Sequence, residues 1–515
     1  MKSTITELAM AKNKQSTRPE PSLTFRKVVA GGSLHNRSSR LRHVWSLITF
    51  LLGLEVSQCL AAEDVIPQML ESDVKHVVVC RASSGRYAMY GGLTRLPDGE
   101  ILCVYKVGSR DPTTGSPWTV RDEEIVWTRS SSKGHSWPGK GHLIYKNPAG
   151  RQENCPGKGY LARDGRLLHP FYTVNLDRTE KTPPESYWSK LHLAESKDVG
   201  KTWDIRTVAS MTPYGGIVPL KNGTLLLLAY SRPDPKILRS QSGILRSTDD
   251  GNTFTDYKVI GAGADSDGGP ARLNETDIAE LPSGKLVSIS RSQYNDYPLY
   301  QGVSSDKGLT WKVERNGLSG ICPSLCFTES GPPEGMLTLI YHDRWGKHAS
   351  HEEGMYVVFS SDEGETWGEP VWIDKGGYPC IIEIAPGQMF TTYYQSFGLL
   401  RGAFFSVPFP SGLRTWQPDS ETDTVMIAWD TYRGKKASDY TYHVHRSASP
   451  DSSPTDETSI GSVQSTNSFL DKGTKSEKTY FYEVVAREGE RRVGCSWIAC
   501  ATLAEKRQEG RRGKL

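Results

Sequence analysis

An eight-residue pattern, Ser-x-Asp-x-Gly-x-Thr-Trp, returns along this chain and limits its fold more than any other feature. It reads Ser196 to Trp203, Ser247 to Phe254, Ser304 to Trp311 and Ser360 to Trp367. A degenerate copy runs from Ser130 to Trp137, with Ser132 in the Asp place. Ser and Asp bond their own local backbone in a turn, Gly supplies a positive φ, and the aromatic packs beneath the hairpin. The copies start 66, 51, 57 and 56 residues apart. Periods of that size, built from short strands and turns, mean a propeller or an array. The octets themselves read as architecture rather than chemistry.

A second repeat sets the number of units. A turn glycine precedes an apolar strand at Gly99, Gly165, Gly223, Gly284, Gly335 and Gly387, at spacings of 51 to 66 residues. Six units predict an all-β fold: a six-bladed β-propeller over residues 76–407, four strands to a blade, with the octets at the outer edge. Val77, Val78 and Val79 are expected to begin a strand that pairs with the last blade and closes the ring, hiding all but short strand edges.

The flanks differ in character. Residues 1–43 are polar and basic, Val44 to Leu54 is apolar, and small residues lead to Ala61-Ala62 before Glu63. A basic region, an apolar core too short to span a bilayer and a small-residue exit describe a secretory signal over residues 1–62. The expected product is secreted, periplasmic or on the cell surface, with no transmembrane segment. Without those residues the chain carries 53 basic and 56 acidic residues, near neutrality, which argues against nucleic acid as a partner. Eight cysteines remain, an even number that permits disulfides. Cys322 and Cys326 lack a second pair to complete a zinc site, so buried or bridged thiols are expected, with no metal and no cofactor. Pro408, Pro410, Gly412 and Pro418 read as a linker to a small β-sandwich at 417–503, followed by a charged tail at 504–515.

In each unit a strand runs to the turn glycine and the next runs back, so the start of one and the end of the other share a rim. Nine residues before the six glycines stand Tyr90, Pro156, Tyr214, Glu275, Cys326 and Tyr378. After them stand Arg110 with Asp111, Tyr172 with Asn175, Arg232, Arg291, His342 with Asp343 and Arg344, and Tyr394 with Gln395. Clustered arginines suit an anion through forked bonds. Tyrosine beside glutamate is a nucleophile with its base, and a loop aspartate can act as general acid/base. The alternative is a polar rim whose charges pair with one another in solvent.

The octets resemble the Asp-boxes of the sialidase superfamily, a six-bladed propeller family, over most of residues 76–407. Asn274-Glu275 with Arg291 in Ser288-Ile289-Ser290-Arg291-Ser292, and Gly377-Tyr378-Pro379, match that family's glutamate, one of its three carboxylate-binding arginines and its nucleophilic tyrosine. Two arginine places depart from the pattern: one reads Met89-Tyr90-Gly91, with Arg86 nearby, and the other His351-Glu352-Glu353-Gly354, with Arg344 nearby. Lys478 to Val484 resembles the corner strand of fibronectin type III domains. The resemblance implies an exported exo-glycosidase acting on a terminal acidic sugar of a glycan or oligosaccharide. Tyr378 would be the nucleophile, Glu275 its base within hydrogen-bond reach, Asp111 the acid/base, and Arg291 the cation that lowers the pKa of both the phenol and the carboxyl. Arg344, Arg110, Arg86, Arg232 and Asp343 would be further substrate-binding residues. A non-catalytic carbohydrate-binding propeller and a surface adhesion protein are the alternatives.

Overall fold

The computed structural model describes residues 74–503, apart from 111–119, 147–150, 155–156, 175–188, 235–238, 262–271, 294–295, 329–334, 345–352, 369, 397, 420–421, 431–438, 450–451, 453, 490 and 497–498. Among the described residues it is all-β: a six-bladed propeller followed by a small sandwich. The innermost strands of blades one to six are Arg86–Arg95, Arg151–Asn154 with Tyr160–Leu161, Thr212–Pro219, Leu273–Glu280, Ile321–Phe327 and Gly377–Ala385. Lys75–Arg81 is the outermost strand of blade six, antiparallel to Leu399–Ser406 with Val77 opposite Gly402. The first described strand therefore completes the last blade and closes the ring.

Apolar residues pack between blades rather than at a common centre. Leu225, Leu227 and Ala229 of blade three face Leu191 and Leu193 of blade two. Leu226 and Leu228, one step out of phase, face Ile278 and Leu286 of blade four. The unbroken apolar run Leu225 to Ala229 thus follows from a strand buried on both faces. Six such interfaces, one between each pair of neighbouring blades, carry the core.

The octets occupy the turn between the third and fourth strands of blades one to five. Ser196 Oγ accepts from Gly200 N at 2.7 Å, Asp198 accepts from Thr202 N at 2.8 Å and from Thr202 Oγ1 at 2.6 Å, and Trp203 Nε1 donates to Gly200 O at 3.0 Å. The same serine and aspartate bonds recur at Ser247, Ser304 and Ser360. In the degenerate copy Ser132 Oγ takes the aspartate's part, accepting from Ser136 N at 2.8 Å. The aromatics Trp137, Trp203, Phe254, Trp311 and Trp367 wedge against the preceding blade's interface. Five octets for six blades has a topological cause: blade six takes its fourth strand from Lys75–Arg81 and so has no such turn.

The ring's centre is polar. Lys158 Nζ donates to Asp277 Oδ2 at 2.6 Å and to Leu325 O at 2.7 Å. The same carboxylate oxygen accepts from Ser324 Oγ at 3.1 Å and Leu325 N at 2.8 Å, and Ser324 Oγ in turn accepts from Ile381 N at 3.2 Å. The main chain at Lys158 bonds Gly215 and Ile217, and Gly159 N donates to Leu93 O at 3.0 Å. This close approach requires glycine: a Cβ on Gly216 would lie 2.1 Å from Lys158 O, and one on Gly157 2.3 Å from Gly215 C.

The second domain packs Ser411–Trp416, Val425–Asp430 and Ser468–Asp471 against a sheet containing Thr441–Ser447, Ser459–Gln464 and Thr479–Glu488. Its core holds Trp429, Tyr442, Val444, Tyr482 and Val484. The stretch read as a linker is already part of this domain. Ser411–Trp416 pairs with Val425–Asp430, and Phe409 and Leu413 lie in the core, because the prolines leave an alternating edge strand between them.

Two outcomes are expected. Hydrogen bonds from Thr202, Thr253 and Thr310 hold the Asp198, Asp249 and Asp306 carboxyls down to about 2. A folded pKa below the unfolded one gives stability that is complete above the ordinary carboxylate range and is lost as pH falls toward 2. Thermal melts of an Asp198→Asn/Asp249→Asn/Asp306→Asn variant should therefore depend less on pH between about 4 and 2 than those of the parent; equal slopes would refute the assignment. Asp277→Ala strands the Lys158 ammonium and should cost roughly 3–5 kcal/mol by denaturant titration, with Lys158→Met/Asp277→Leu recovering part of it. A single-variant loss under about 1 kcal/mol would show that the pair is not structural.

Candidate functional site at the mouth of the ring

Innermost strands of five blades break register near one rim. The pairing slips between Met89 and Gly92, Pro213 and Ile217, Leu273 and Thr276, Ile321 and Ser324, and Gly377 and Cys380. At four of these bulges the backbone is left-handed: Tyr90 at φ 58°, Gly215 at 75°, Cys322 at 54° and Tyr378 at 54°. A bulge re-aims side chains, and a left-handed non-glycine residue holds local strain of about 1–3 kcal/mol that its surroundings must support.

The bulges bring Tyr214, Glu275, Cys322 and Tyr378 together with Arg291 and Arg344. Arg291 Nη1 donates to Glu275 Oε1 at 2.7 Å, and Cys322 N, turned inward by its left-handed backbone, donates to Glu275 Oε2 at 3.0 Å. Both oxygens of a carboxylate only 7 % exposed are thus engaged. Tyr378 packs edge-on to Tyr90 with centroids 4.6 Å apart and tilts against Tyr394 at 5.9 Å. Arg344 hydrogen-bonds the Tyr378 phenol. Arg291 also lies over the Tyr297 ring, 5.8 Å from its centroid.

Burial pushes the Tyr378 phenol well above its ordinary pKa, and Cys322 and Glu275 push the same way against the opposing pull of Arg344 and Arg291. The expected net lowering by Arg291 is therefore reversed: desolvation outweighs the cations and the phenol is neutral. Nor does Tyr378 hydrogen-bond Glu275, whose oxygens go to Arg291 and Cys322 instead. His342 is neutral too, because burial, then Arg344 and Arg291, bring it down to about 3. Its 3.9 Å approach to Glu353 is accordingly not an ion pair.

Of the other residues expected at the site, Arg86 and Asp343 have described side chains. Arg86 pairs with Glu124 at 3.3 Å, and Lys146 shares that carboxylate at 3.0 Å. Asp343 follows His342 on the same strand, so it faces the opposite side, and it is buried. Arg110 and Arg232 lie on strands Ile101–Arg110 and Leu225–Asp234. Asp111 lies outside the described residues, as do Pro156 and Asn175. In blade five the rim position is Cys322 rather than Cys326. The connection from Phe327 to Leu337 is longer than that from Pro219 to Leu225, which displaces a count made back from the glycine.

Sequence reasoning missed Tyr297, Lys158 and the role of the Cys322 amide, none of which has a local signal. It also missed a cavity of about 280 Å3 beside Tyr394, lined by Glu353, Lys375, Gly376 and Gln395. Among the described residues no group of three or more His, Cys, Asp or Glu is placed to hold a metal. Cys80, Cys103, Cys322, Cys326, Cys380 and Cys500 are free thiols.

No family model matches this sequence, and no curated protein matches it. Solved structures do match in fold. A protein of unknown function from Dyadobacter fermentans is 18% identical, with a TM-score of 0.54 over 65% of this chain and 99% of its own. A Hadza microbial sialidase is 18% identical, with a TM-score of 0.48 over 62% of this chain and 66% of its own. An α-L-arabinofuranosidase of Fusarium graminearum is 14% identical, with a TM-score of 0.45 over 64% of this chain and 96% of its own. The first match shows a shared fold.

Burial raises the Cys322 thiol well above its ordinary pKa. In native protein at pH 8, iodoacetamide should leave Cys322 unmodified, with labelling only after unfolding, as read by peptide mass spectrometry. Rapid native labelling would contradict the packing described.

Proposed function

We propose that this chain is a glycoside hydrolase of the sialidase superfamily, with Asp-box turns and a fibronectin type III-like C-terminal domain, acting on the terminal sugar of a glycan. The observation that carries this reading is the convergence at one rim of a neutral tyrosine and a carboxylate, each on a bulge of an innermost strand, with two guanidinium groups. Tyr378 Oη attacks the anomeric carbon and the bond to the leaving oxygen breaks. Glu275 takes the phenolic proton, and Asp111 delivers one to the leaving group. Water then hydrolyses the glycosyl–tyrosine, tyrosine being a known departure from the two-carboxylate scheme. Catalytic hydrogen bonds are often absent from ligand-free sites and close with substrate, so the engaged state of Glu275 is compatible with its role as base. Export by the N-terminal segment belongs to the same proposal, with a mature terminus near Glu63.

A second reading rests on that same engagement. With both Glu275 oxygens held by Arg291 and Cys322 N, the rim is also a rigid carbohydrate-binding surface without chemistry. The two readings separate on a panel of aryl glycosides. As a hydrolase, the protein turns over at least one, and Tyr378→Phe lowers kcat by at least about a thousandfold while the melt is unchanged. Asp111→Asn costs most on substrates with poor leaving groups. Saturable sugar binding without turnover, indifferent to Tyr378→Phe, would select the binding module.

A further inference from the structure

Lys106 is only 2 % exposed and takes no part in the proposed hydrolysis. It lies on Ile101–Arg110, the second strand of blade one, with Tyr87 and Tyr90 on the first strand and Glu123 on the third. Its Nζ donates to Glu123 Oε1 at 3.1 Å, and the Tyr87 hydroxyl donates to the same oxygen at 2.8 Å. All four residues are buried. The ammonium also stands 4.9 Å from the centroid of the Tyr90 ring and 5.4 Å from that of Tyr87. A substrate does not reach a cation so enclosed, so whatever it does for the mouth it does through a neighbour.

That neighbour is Tyr90. Its left-handed backbone at the blade-one bulge needs support from its surroundings. Thr392 Oγ1 of blade six supplies part of it, donating to Gly91 O at 2.8 Å. Lys106 holds the ring itself, because a cation over an aromatic face is attracted by the ring quadrupole, most strongly where water is excluded. A buried lysine–carboxylate pair is often no more stabilising than apolar side chains of the same volume. What such apolar side chains would not do is orient the Tyr90 ring. Tyr90 in turn meets Tyr378 edge-on, with 80° between the ring planes and 4.6 Å between centroids. Tyr394, the other ring against Tyr378, is half-buried and borders the cavity. The Tyr90 contact is therefore the firmer of the two.

We infer that Lys106 is a positioning residue for the candidate nucleophile. Glu123 fixes its ammonium, the ammonium fixes the tilt of Tyr90, and Tyr90 fixes the plane in which Tyr378 Oη approaches the anomeric carbon. The inference rests on the glycoside hydrolase reading above. Lys106 makes and breaks no bond in the reaction. A small misplacement of the attacking oxygen lowers the rate of attack without weakening the hold on the sugar.

The test uses the full chain, with 3-fluorotyrosine placed at position 378 for fluorine NMR and the unlabelled protein for kinetics on aryl glycosides. Lys106→Met/Glu123→Gln removes both charges and keeps an oxygen for the Tyr87 hydroxyl. Tyr90→Leu removes only the ring and leaves the pair intact. Each should shift or broaden the fluorine resonance and lower kcat about 10- to 100-fold, with KM within about twofold of the parent. Combined, they should cost little more than either alone, because they interrupt one route. A pair that only stabilises blade one would lower Tm and leave kcat unchanged, and that result overturns the inference. So does a loss confined to KM, or a fully additive combination. If the charge-free variant does not fold, Glu123→Gln, which loosens the ammonium without removing it, takes its place and must move both readouts in the same direction. If the parent hydrolyses no glycoside, the hydrolase reading fails and the resonance alone decides. Moved by both the charge variant and Tyr90→Leu, it keeps Lys106 as the residue that sets the Tyr378 ring; unmoved by either, it sinks the inference.

Discussion

The ion pair of Lys158 with Asp277 is the constraint on which the rest of the ring depends. Each blade interface is apolar and satisfied by its two neighbours, so nothing in those interfaces alone fixes the centre. One lysine from blade two meets a carboxylate from blade four, which also receives Ser324 and Leu325 from blade five. Ser324 accepts from Ile381 of blade six, and the main chain beside Lys158 reaches blades three and one. One short segment of blade two thus bonds blades one, three, four and five directly and reaches blade six through Ser324. The desolvation of a buried pair is offset here because the shared Asp277 oxygen accepts two further hydrogen-bonding groups, Ser324 Oγ and Leu325 N, while Lys158 keeps a carbonyl as well.

That floor lies on the same strands as the bulges of the mouth. Asp277 is two residues from Glu275, and Ser324 two from Cys322, so the floor begins where the bulges of the mouth end. Locking the first holds the second. The left-handed Cys322 is supported on one side by the Glu275 carboxylate and on the other by the anchored Ser324–Leu325 segment, which is how a strained amide can be kept pointing at an anion.

What was legible in the sequence follows from the range of the interactions. The octets are closed by bonds within eight residues, so four serine–aspartate copies and one with Ser132 could be read directly. The phase before the turn glycines correctly placed Tyr214, Glu275 and Tyr378 on one rim, since a blade's hairpin has nearly constant length. It failed for Cys326, where the hairpin is longer. The Lys158–Asp277 contact spans 119 positions and left no local trace. Burial, which decides the charge of Tyr378 and His342, likewise depends on neighbours brought from other blades.

The closure of blade six has a consequence for the order of assembly. Tyr378 sits on a sheet whose outer edge is supplied by Lys75–Arg81, roughly three hundred residues earlier in the chain. The first described strand to leave the ribosome thus waits for its partner, and until Leu399–Ser406 follows it out the blade bearing the candidate nucleophile lacks its edge. A change at residue 77 is, in space, a change next to residue 402. Alterations near the start of the propeller therefore act on the blade that carries Tyr378, and the joint of the ring is the place where stability and chemistry are inherited together.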